Sequence, residues 1–398
     1  MPALAPRYGG PSVAALAMSR ALIERGVETL IATTDADGPG TLPVARGRVV
    51  SYEGQPVIFF PRQASGAFKY SRGLSRWLDL HVSDFDVVHV HAVFCHSSVS
   101  AARACRRHGV PYLLRPLGTL DPWSLDQKRW RKRAFMRLVG RSMCAHAAAL
   151  TYTAAGERRG TEETLGLSGG LVIPLGLPDE AFLSPGDARV PAEPPYLLAL
   201  GRLDAKKGLD LLIRAFLTLS TRSDIEPWQL VIAGDGDPEF AEGLKRLARA
   251  DEARARIRFT GWVTGTVKRD LIDGASLFAL PSRQENFGIA LVEAMARGVP
   301  VVASPGVNLA PDIEEAGAGW IAAAESEALQ RTLLEAMTNR EARVRRGTAA
   351  RLLAERFRWS SVVDGLVHAY VDAVGGRSAA PVSSMPANAG VSGSSAHP

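Results

Sequence analysis

The chain has 398 residues, 46% of them hydrophobic and 22% charged, with a formal net charge of +6. That length suits two globular domains, no apolar run is long enough to span a bilayer, and MPALAPRYGG lacks the charged-then-apolar layout of a signal peptide. The surplus of cations favours an anionic partner, whether nucleic acid, acidic lipid or a diphosphate, and the odd set Cys95, Cys105 and Cys144, without metal spacing, predicts reduced thiols in a cytosolic protein.

Strand and helix alternate along the chain, the pattern of parallel α/β sheets. At the start, Met1–Arg7 precede Gly9 and Gly10. Pro2 and Pro6 are poor central-strand residues, so a first strand is expected to be shortened or missing, with a gap in the N-terminal sheet. Gly9 and Gly10 let backbone approach a ligand. Pro11 and Ser12 then open a helix, SVAALAMSRALIERG, ended by Gly26. Strands are predicted at VETLIAT, DVVHVHAV, VPYLLRP, AALTYT and GLVIPLG. In DVVHVHAV, alternation puts His89 and His91 on one face and Val90 on the other; no third ligand follows at metal spacing. The segment VPYLLRPLGTLDPWSL carries Arg115, Thr119 and Asp121 around its turn. Next, DQKRWRKRAFMRLVGR gathers seven Lys or Arg around Trp130, Phe135, Met136 and Leu138. As a helix this is a basic surface suited to the plane of an anionic membrane, or a solvated face packed by its apolar side. No nucleic-acid motif accompanies it.

The segment from about 181 to 196, rich in Pro and acidic residues, reads as an interdomain linker. Beyond it, strands are predicted at PYLLALG, WQLVIAG, RIRFTGW, SLFALPS, VPVVAS and GWIAAA. After the first of these, Gly201-Arg202 end the strand, a loop carries Lys206, Lys207 and Gly208, and a helix starts near Leu209. Arg202 and Lys207 thus lie at the carboxyl edge of a parallel sheet, where two cations suit two phosphates. Gly234, Asp235 and Gly236 follow WQLVIAG; Gly261, Trp262 and Val263 follow RIRFT. After SLFALPS, a loop with Glu285, Asn286, Phe287 and Gly288 leads into a helix from about Ile289 to Arg297. Its N-terminus offers unpaired N–H groups and a positive dipole end to a phosphate. Glu285 sits on the rim, in reach of sugar hydroxyls, and Glu293 in reach of a ribose. From about Gly375 the Gly/Ser/Ala/Pro-rich tail is expected to be disordered.

The strings PSRQENFGIALVEAMARGVPVVAS and ALGRLDAKKGLDLLIRAF resemble the retaining, nucleotide-sugar-dependent glycosyltransferases of family 4, with their E-x7-E arrangement and G-R-L, spacer, K-G pattern. RPLGTLDPW is similar to a subgroup of exopolysaccharide and O-antigen assembly. The resemblance covers about residues 8 to 374. It implies a GT-B fold: an N-terminal acceptor-binding Rossmann-like domain over 1–182, a nucleotide-sugar-binding one over 183–358, a crossover helix over 359–374 and the tail over 375–398. It assigns Glu285 to the sugar, with His91 as a catalytic or acceptor contact. Donor binding falls to Gly10, Arg202, Lys207, Gly234, Val263, Phe287, Gly288, Ile289 and Glu293, with the base held through backbone near Val263. Gly9, Arg115 and Asp121 are left as acceptor contacts. Many relatives carry His-Gly where this chain has Leu117-Gly118, so no catalytic His is carried over there. No Asp-x-Asp is placed to hold a metal at the diphosphate, so no cofactor is expected.

The expected partners are a nucleotide-sugar donor, a lipid-linked or glycan acceptor and the inner, anionic membrane face, without nucleic acid. The expected place is the cytoplasm, peripheral to the plasma membrane. A non-catalytic nucleotide-sugar-binding or glycan-binding relative is the alternative. An NAD-dependent oxidoreductase is disfavoured because no G-x-G-x-x-G follows an early strand.

Overall fold

The computed structural model describes residues 1–64, 66, 68–182, 189–249 and 256–376. Part of the predicted linker and all of the tail from 377 lie outside these residues. Two α/β units follow one another in the chain. The first holds β1 (Ile31–Thr34), a short antiparallel pair of β2 (Ala36–Asp37) and β3 (Gly40–Thr41), then β4 (Val49–Tyr52) and β5 (Gln55–Phe60). β5 pairs in parallel with β1 and antiparallel with β4. β6 (Val88–His91), β7 (Tyr112–Arg115), β8 (Ala149–Tyr152) and β9 (Leu171–Val172) form a second, parallel sheet in that order.

The β4–β5 hairpin was not among the predicted elements. Glu53 and Gly54 turn it with φ of 50° and 75°, the two positive values a type I′ turn requires. No strand forms over Met1–Ala5, yet Ala3, Leu4 and Ala5 are buried. The Met1 ammonium donates to the Ala32 carbonyl at 3.2 Å, and Thr34 Oγ1 donates to that of Pro2 at 2.7 Å. A cavity of about 180 Å³ lies beside them, lined by Ile31, Ala32, Val88, His89 and Tyr370 among others.

The second unit contains all six strands predicted for it: β10 (Tyr196–Leu200), β11 (Gln229–Ala233), β12 (Ile257–Gly261), β13 (Leu277–Leu280), β14 (Val301–Ala303) and β15 (Gly319–Ile321). They pair in parallel in the order β12-β11-β10-β13-β14-β15. Their continuous apolar sequence follows from burial on both faces: Leu197, Leu198, Val231, Phe278 and Val301 are fully covered. The order reverses direction between β10 and β13. Connections leaving these two neighbours run to opposite sides, which opens a crevice at their carboxyl ends.

The last helix, Trp359–Val374, returns to the first unit. Its Val362, Val363 and Leu366 share an apolar cluster with Met18 and Leu22 of the helix Gly10–Glu24. Arg25 pairs with Asp364.

Candidate active site

The loops leaving β10 and β13 meet in the crevice. The β10 loop winds through a single 3-10 turn, Ala205–Lys207, which Asp204 caps by accepting from Lys206 N. The β13 loop is tied to it by Arg283. Arg283 N donates to the Lys206 carbonyl at 2.7 Å, and its guanidinium grips Asp210 through two bonds of 3.1 and 3.0 Å. Glu285 is pinned through its backbone: its N donates to Gly306 O at 2.8 Å and its carbonyl accepts from Asn308 N at 3.0 Å. These ties aim the Glu285 side chain at Lys207, and the two form an ion pair that is mostly buried.

Burial alone raises the Glu285 carboxyl. Lys207, Lys206 and Arg202 outweigh it, so the group is held below the usual carboxylate range. Burial lowers the Lys206 ammonium, with Glu285 opposing. Gly288 follows in the left-handed region, φ 75°, as N-cap of the helix Ile289–Ala296. The helix's first N–H groups therefore open beside three cations and one carboxylate. One turn further in, Glu293 Oε1 accepts from Lys268 Nζ at 2.6 Å, while its Oε2 is buried without a partner. Lys268 was missed from sequence because it stands on an ordinary polar helix, Gly265–Asp273.

The other predicted donor residues surround this core. Gly234 follows β11 with φ 134°, and a Cβ there would lie 1.9 Å from the Gly201 carbonyl oxygen, so only glycine lets the two turns nest. Val263 is half-buried after β12, and Trp262 beside it is exposed. Phe287 packs edge-on against Phe357 at 5.4 Å in the core, so its side chain anchors the loop. Across the crevice Gly10 abuts Ile289: an added Cβ would fall 2.8 Å from Ile289 Cδ1. Gly9 stands just before it with φ 69°.

Three predicted residues of the first unit sit deeper. His91 is 6% exposed and stacks on His89 at 4.6 Å, on the same face as alternation requires. Burial and the Arg115 charge hold His91 well below its usual value, so it is neutral. Arg115 is 1% exposed, bonded to Thr151 Oγ1 and the Ile173 carbonyl. Its guanidinium is spent on β8 and on the chain just after β9. Asp121 is buried and accepts from Gln284 Nε2 at 2.7 Å, a bond between the two units. Burial raises its carboxyl, opposed by Gln284 and Asn308. Thr119 closes its own turn by donating to Pro116 O at 2.7 Å.

Leu117 and Gly118, which stand where many relatives have His-Gly, adopt φ of 55° and 70°. The Leu side chain accepts this sparsely populated conformation at a cost of order 1 kcal/mol. Among the described residues no group of three or more His, Cys, Asp or Glu is placed to hold a metal ion, and no helix is long and apolar enough to cross a membrane. The three cysteines are buried and unpaired, and burial pushes the Cys105 and Cys144 thiols up to about 12.

Two Rossmann-like units meeting across a crevice, with cations gathered at the switch point of the second, define the GT-B class of glycosyltransferases. The pattern described as "Glycosyl transferase 4-like domain" matches residues 9–176, and that of "Glycosyl transferases group 1" matches residues 184–353. The chain is a glycosyltransferase composed of these two domains. It is similar to D-inositol 3-phosphate glycosyltransferase 2 of Catenulispora acidiphila, 28% identical over 91% of this chain and 90% of the relative. Mannosylfructose-phosphate synthase of Agrobacterium fabrum is 34% identical over 33% of this chain and 31% of its own length. In fold it matches a sucrose-phosphate synthase from Thermosynechococcus elongatus, with a TM-score of 0.75 and 19% identity over 92% and 94% of the two chains. It also matches Anabaena HepE in complex with UDP and glucose, with a TM-score of 0.70 and 18% identity over 94% and 98%.

Proposed function

We propose that this glycosyltransferase moves a sugar from a UDP- or GDP-linked donor to a glycan or polyprenyl-diphosphate-linked acceptor of surface polysaccharide assembly, with retention of configuration. The observation that carries the reading is the Lys207–Glu285 pair, with Arg202 and Lys206 beside it, at the switch point and in front of the helix at Gly288. Arg202, Lys207 and that helix N-terminus take the diphosphate and stabilise the charge it gains as the bond breaks. Glu285, held ionised, faces the sugar and stabilises its oxocarbenium-like charge. Glu293 and Lys268 take the ribose. Both acids sit on one loop and helix rather than on opposite sides of a sugar, so same-face transfer fits better than double displacement. The departing phosphate oxygen then helps remove the acceptor proton. The complexes of HepE with UDP and glucose support the donor class by similarity.

A thermal-shift screen of UDP- and GDP-sugars tests the donor, because ligand binding raises apparent stability by mass action. One nucleotide class is expected to raise the melting temperature, and turnover of that donor is expected to persist in EDTA. Lack of any shift overturns the donor class. Loss of activity on chelation, restored by Mg²⁺ or Mn²⁺, overturns the metal-free reaction.

The same reading places the protein on the inner membrane face through the basic stretch. Arg129–Phe135 is helical, Trp130 is 71% exposed with the Arg131 guanidinium 5.0 Å from its ring, and Leu138 is exposed. Phe135 and Met136 turn inward instead, Phe135 against Phe94 at 5.1 Å. Lys132 is half-buried and donates to Ser124 Oγ at 3.0 Å, so it serves the fold. Neutralising Lys128, Arg129, Arg131 and Arg133 is expected to release the protein from anionic vesicles without unfolding it. Each cation near such a surface contributes about 1 kcal/mol. Wild type that does not bind vesicles, or a variant that binds as well, overturns the membrane role.

A further inference from the structure

A carboxylate outside the predicted site links the two domains. Glu157, in the first turns of the helix Ala155–Leu165, is fully buried. Its Oε1 accepts from Gly118 N at 2.6 Å. Its Oε2 accepts from Thr153 N at 2.7 Å and from Thr153 Oγ1 at 2.8 Å. Because the Thr153 hydroxyl spends its proton on Glu157, its lone pairs face outward. Asn286 Nδ2 donates to that oxygen at 2.9 Å from the loop of Glu285. Gly118 meets the same asparagine: a Cβ added there would lie 2.9 Å from Asn286 Cβ. Beside them, Asp121 holds Gln284.

We propose that Glu157 is a positioning residue: it fixes loop 117–121 and the Thr153 hydroxyl against Asn286, and so sets the Glu285 loop relative to the first domain. The Gly118 and Thr153 N–H groups can only donate, and the Thr153 hydroxyl donates as well when the carboxylate is ionised, the form that accepts all three bonds at once. A proton on Oε1 would face the Gly118 N–H and break that bond. Burial pushes the group up to about 7 against the pull of the three donors, with Asp121 adding to the rise. Arg115 and Tyr152 also face it, from β7 and β8. The folded value lies above the ordinary 4.5, so between the two the folded protein holds a proton that the unfolded chain has lost. The three-donor arrangement is thus complete only above about pH 7 and loosens as pH falls through that value.

The proposal rests on Glu285 belonging to the donor site, so its test includes a readout that needs no reaction. Amide hydrogen exchange of the ligand-free protein at pH 8 compares wild type with Glu157→Gln. The amide can keep the Thr153 bonds but sets an N–H against that of Gly118. Exchange is expected to quicken about tenfold in peptides covering 117–121 and 284–288, and not in β13 or β14. Asn286→Ala breaks the link from the other side without touching the buried carboxylate, and is expected to quicken 117–121 likewise. With the nucleotide sugar found by thermal shift, Glu157→Gln is expected to lower kcat about tenfold at unchanged KM and to abolish the acid limb near pH 7. Unchanged exchange at 284–288 in Glu157→Gln, or at 117–121 in Asn286→Ala, overturns the proposal whatever the turnover. So does a melting temperature that falls in Glu157→Gln while exchange at 284–288, kcat and pH profile stay those of wild type.

Discussion

Replacing Glu285 with glutamine is expected to lower turnover about 100- to 1000-fold while leaving donor affinity within a few-fold of wild type, the size of effect seen when one preorganised electrostatic group is removed from a transition state. The expectation rests on position and charge. The carboxylate is 13% exposed, aimed by backbone bonds to Gly306 and Asn308, and ionised because three cations outweigh its burial. Its folded value lies below the ordinary one, so its ionic contribution is complete above about pH 4.5 and is lost only as pH falls through the lowered value. A fixed negative charge beside a sugar gaining positive charge stabilises the transition state more than the ground state, so its loss shows in kcat. Glu293→Gln is the internal contrast. Glu293, on the helix Ile289–Ala296, pairs with Lys268 of the helix Gly265–Asp273, beside the expected ribose, where ground and transition state are expected to be alike. Its loss belongs in KM or Kd. Calorimetry of donor binding and turnover with one acceptor for both variants separate the two. Near-normal turnover in Glu285→Gln would remove Glu285 from the chemistry.

The second domain was legible because its signals are local. Six short apolar runs, five of them ended by a Gly- or Pro-containing turn, are predicted as strands covered on both faces, and all six form. The helix after Gly288 begins at Ile289, as read from the loop before it. Arg202, Lys207 and Glu285 were expected together because the carboxyl edge of a parallel sheet gathers its βα loops, and the structure pairs Lys207 with Glu285 beside the Arg202 charge. What sequence did not reveal depends on distant partners. Lys268 meets Glu293 across 25 positions, and Glu157 meets Asn286 only through Thr153. TAAGERRG reads as the exposed start of a polar helix, and nothing in it tells that Glu157 points inward. Arg115 ends β7, and Asp121 stands on the loop after it, which reads as open. Tertiary packing closes over both, spending one on Thr151 and the Ile173 carbonyl and the other on Gln284. The β4–β5 hairpin was missed although its turn, Glu53-Gly54, is local, because VVSY and QPVIFF carry no clean two-residue alternation.

Lys207→Ala and Arg202→Ala are each expected to weaken nucleoside-diphosphate binding by about 1.5–3 kcal/mol, the usual loss for a hydrogen bond to a charged group, or about 10- to 150-fold in Kd. The two should not be equal. Arg202 is exposed and, among the described residues, makes no hydrogen bond or ion pair, so removing it deletes a contact and disturbs little else. Lys207 balances Glu285. Without it the mostly buried carboxylate loses its nearest cation and repels the incoming diphosphate as well, so Lys207→Ala should be the more damaging. Removing Glu285 too should then recover part of the loss, since the repulsion goes with it; contacting residues of this kind depart from additivity. Titration calorimetry with UDP and GDP at two salt concentrations measures these variants, and the wild type's salt dependence should shrink with each cation lost. Conservative exchanges separate charge from shape. Arg202→Lys keeps the cation but loses the planar fork, so affinity falls if the two phosphates are gripped side by side and holds if a point charge suffices. Wild-type affinity in the Arg202→Ala, Lys207→Ala double variant would mean that the diphosphate does not bind at the β10–β13 switch point.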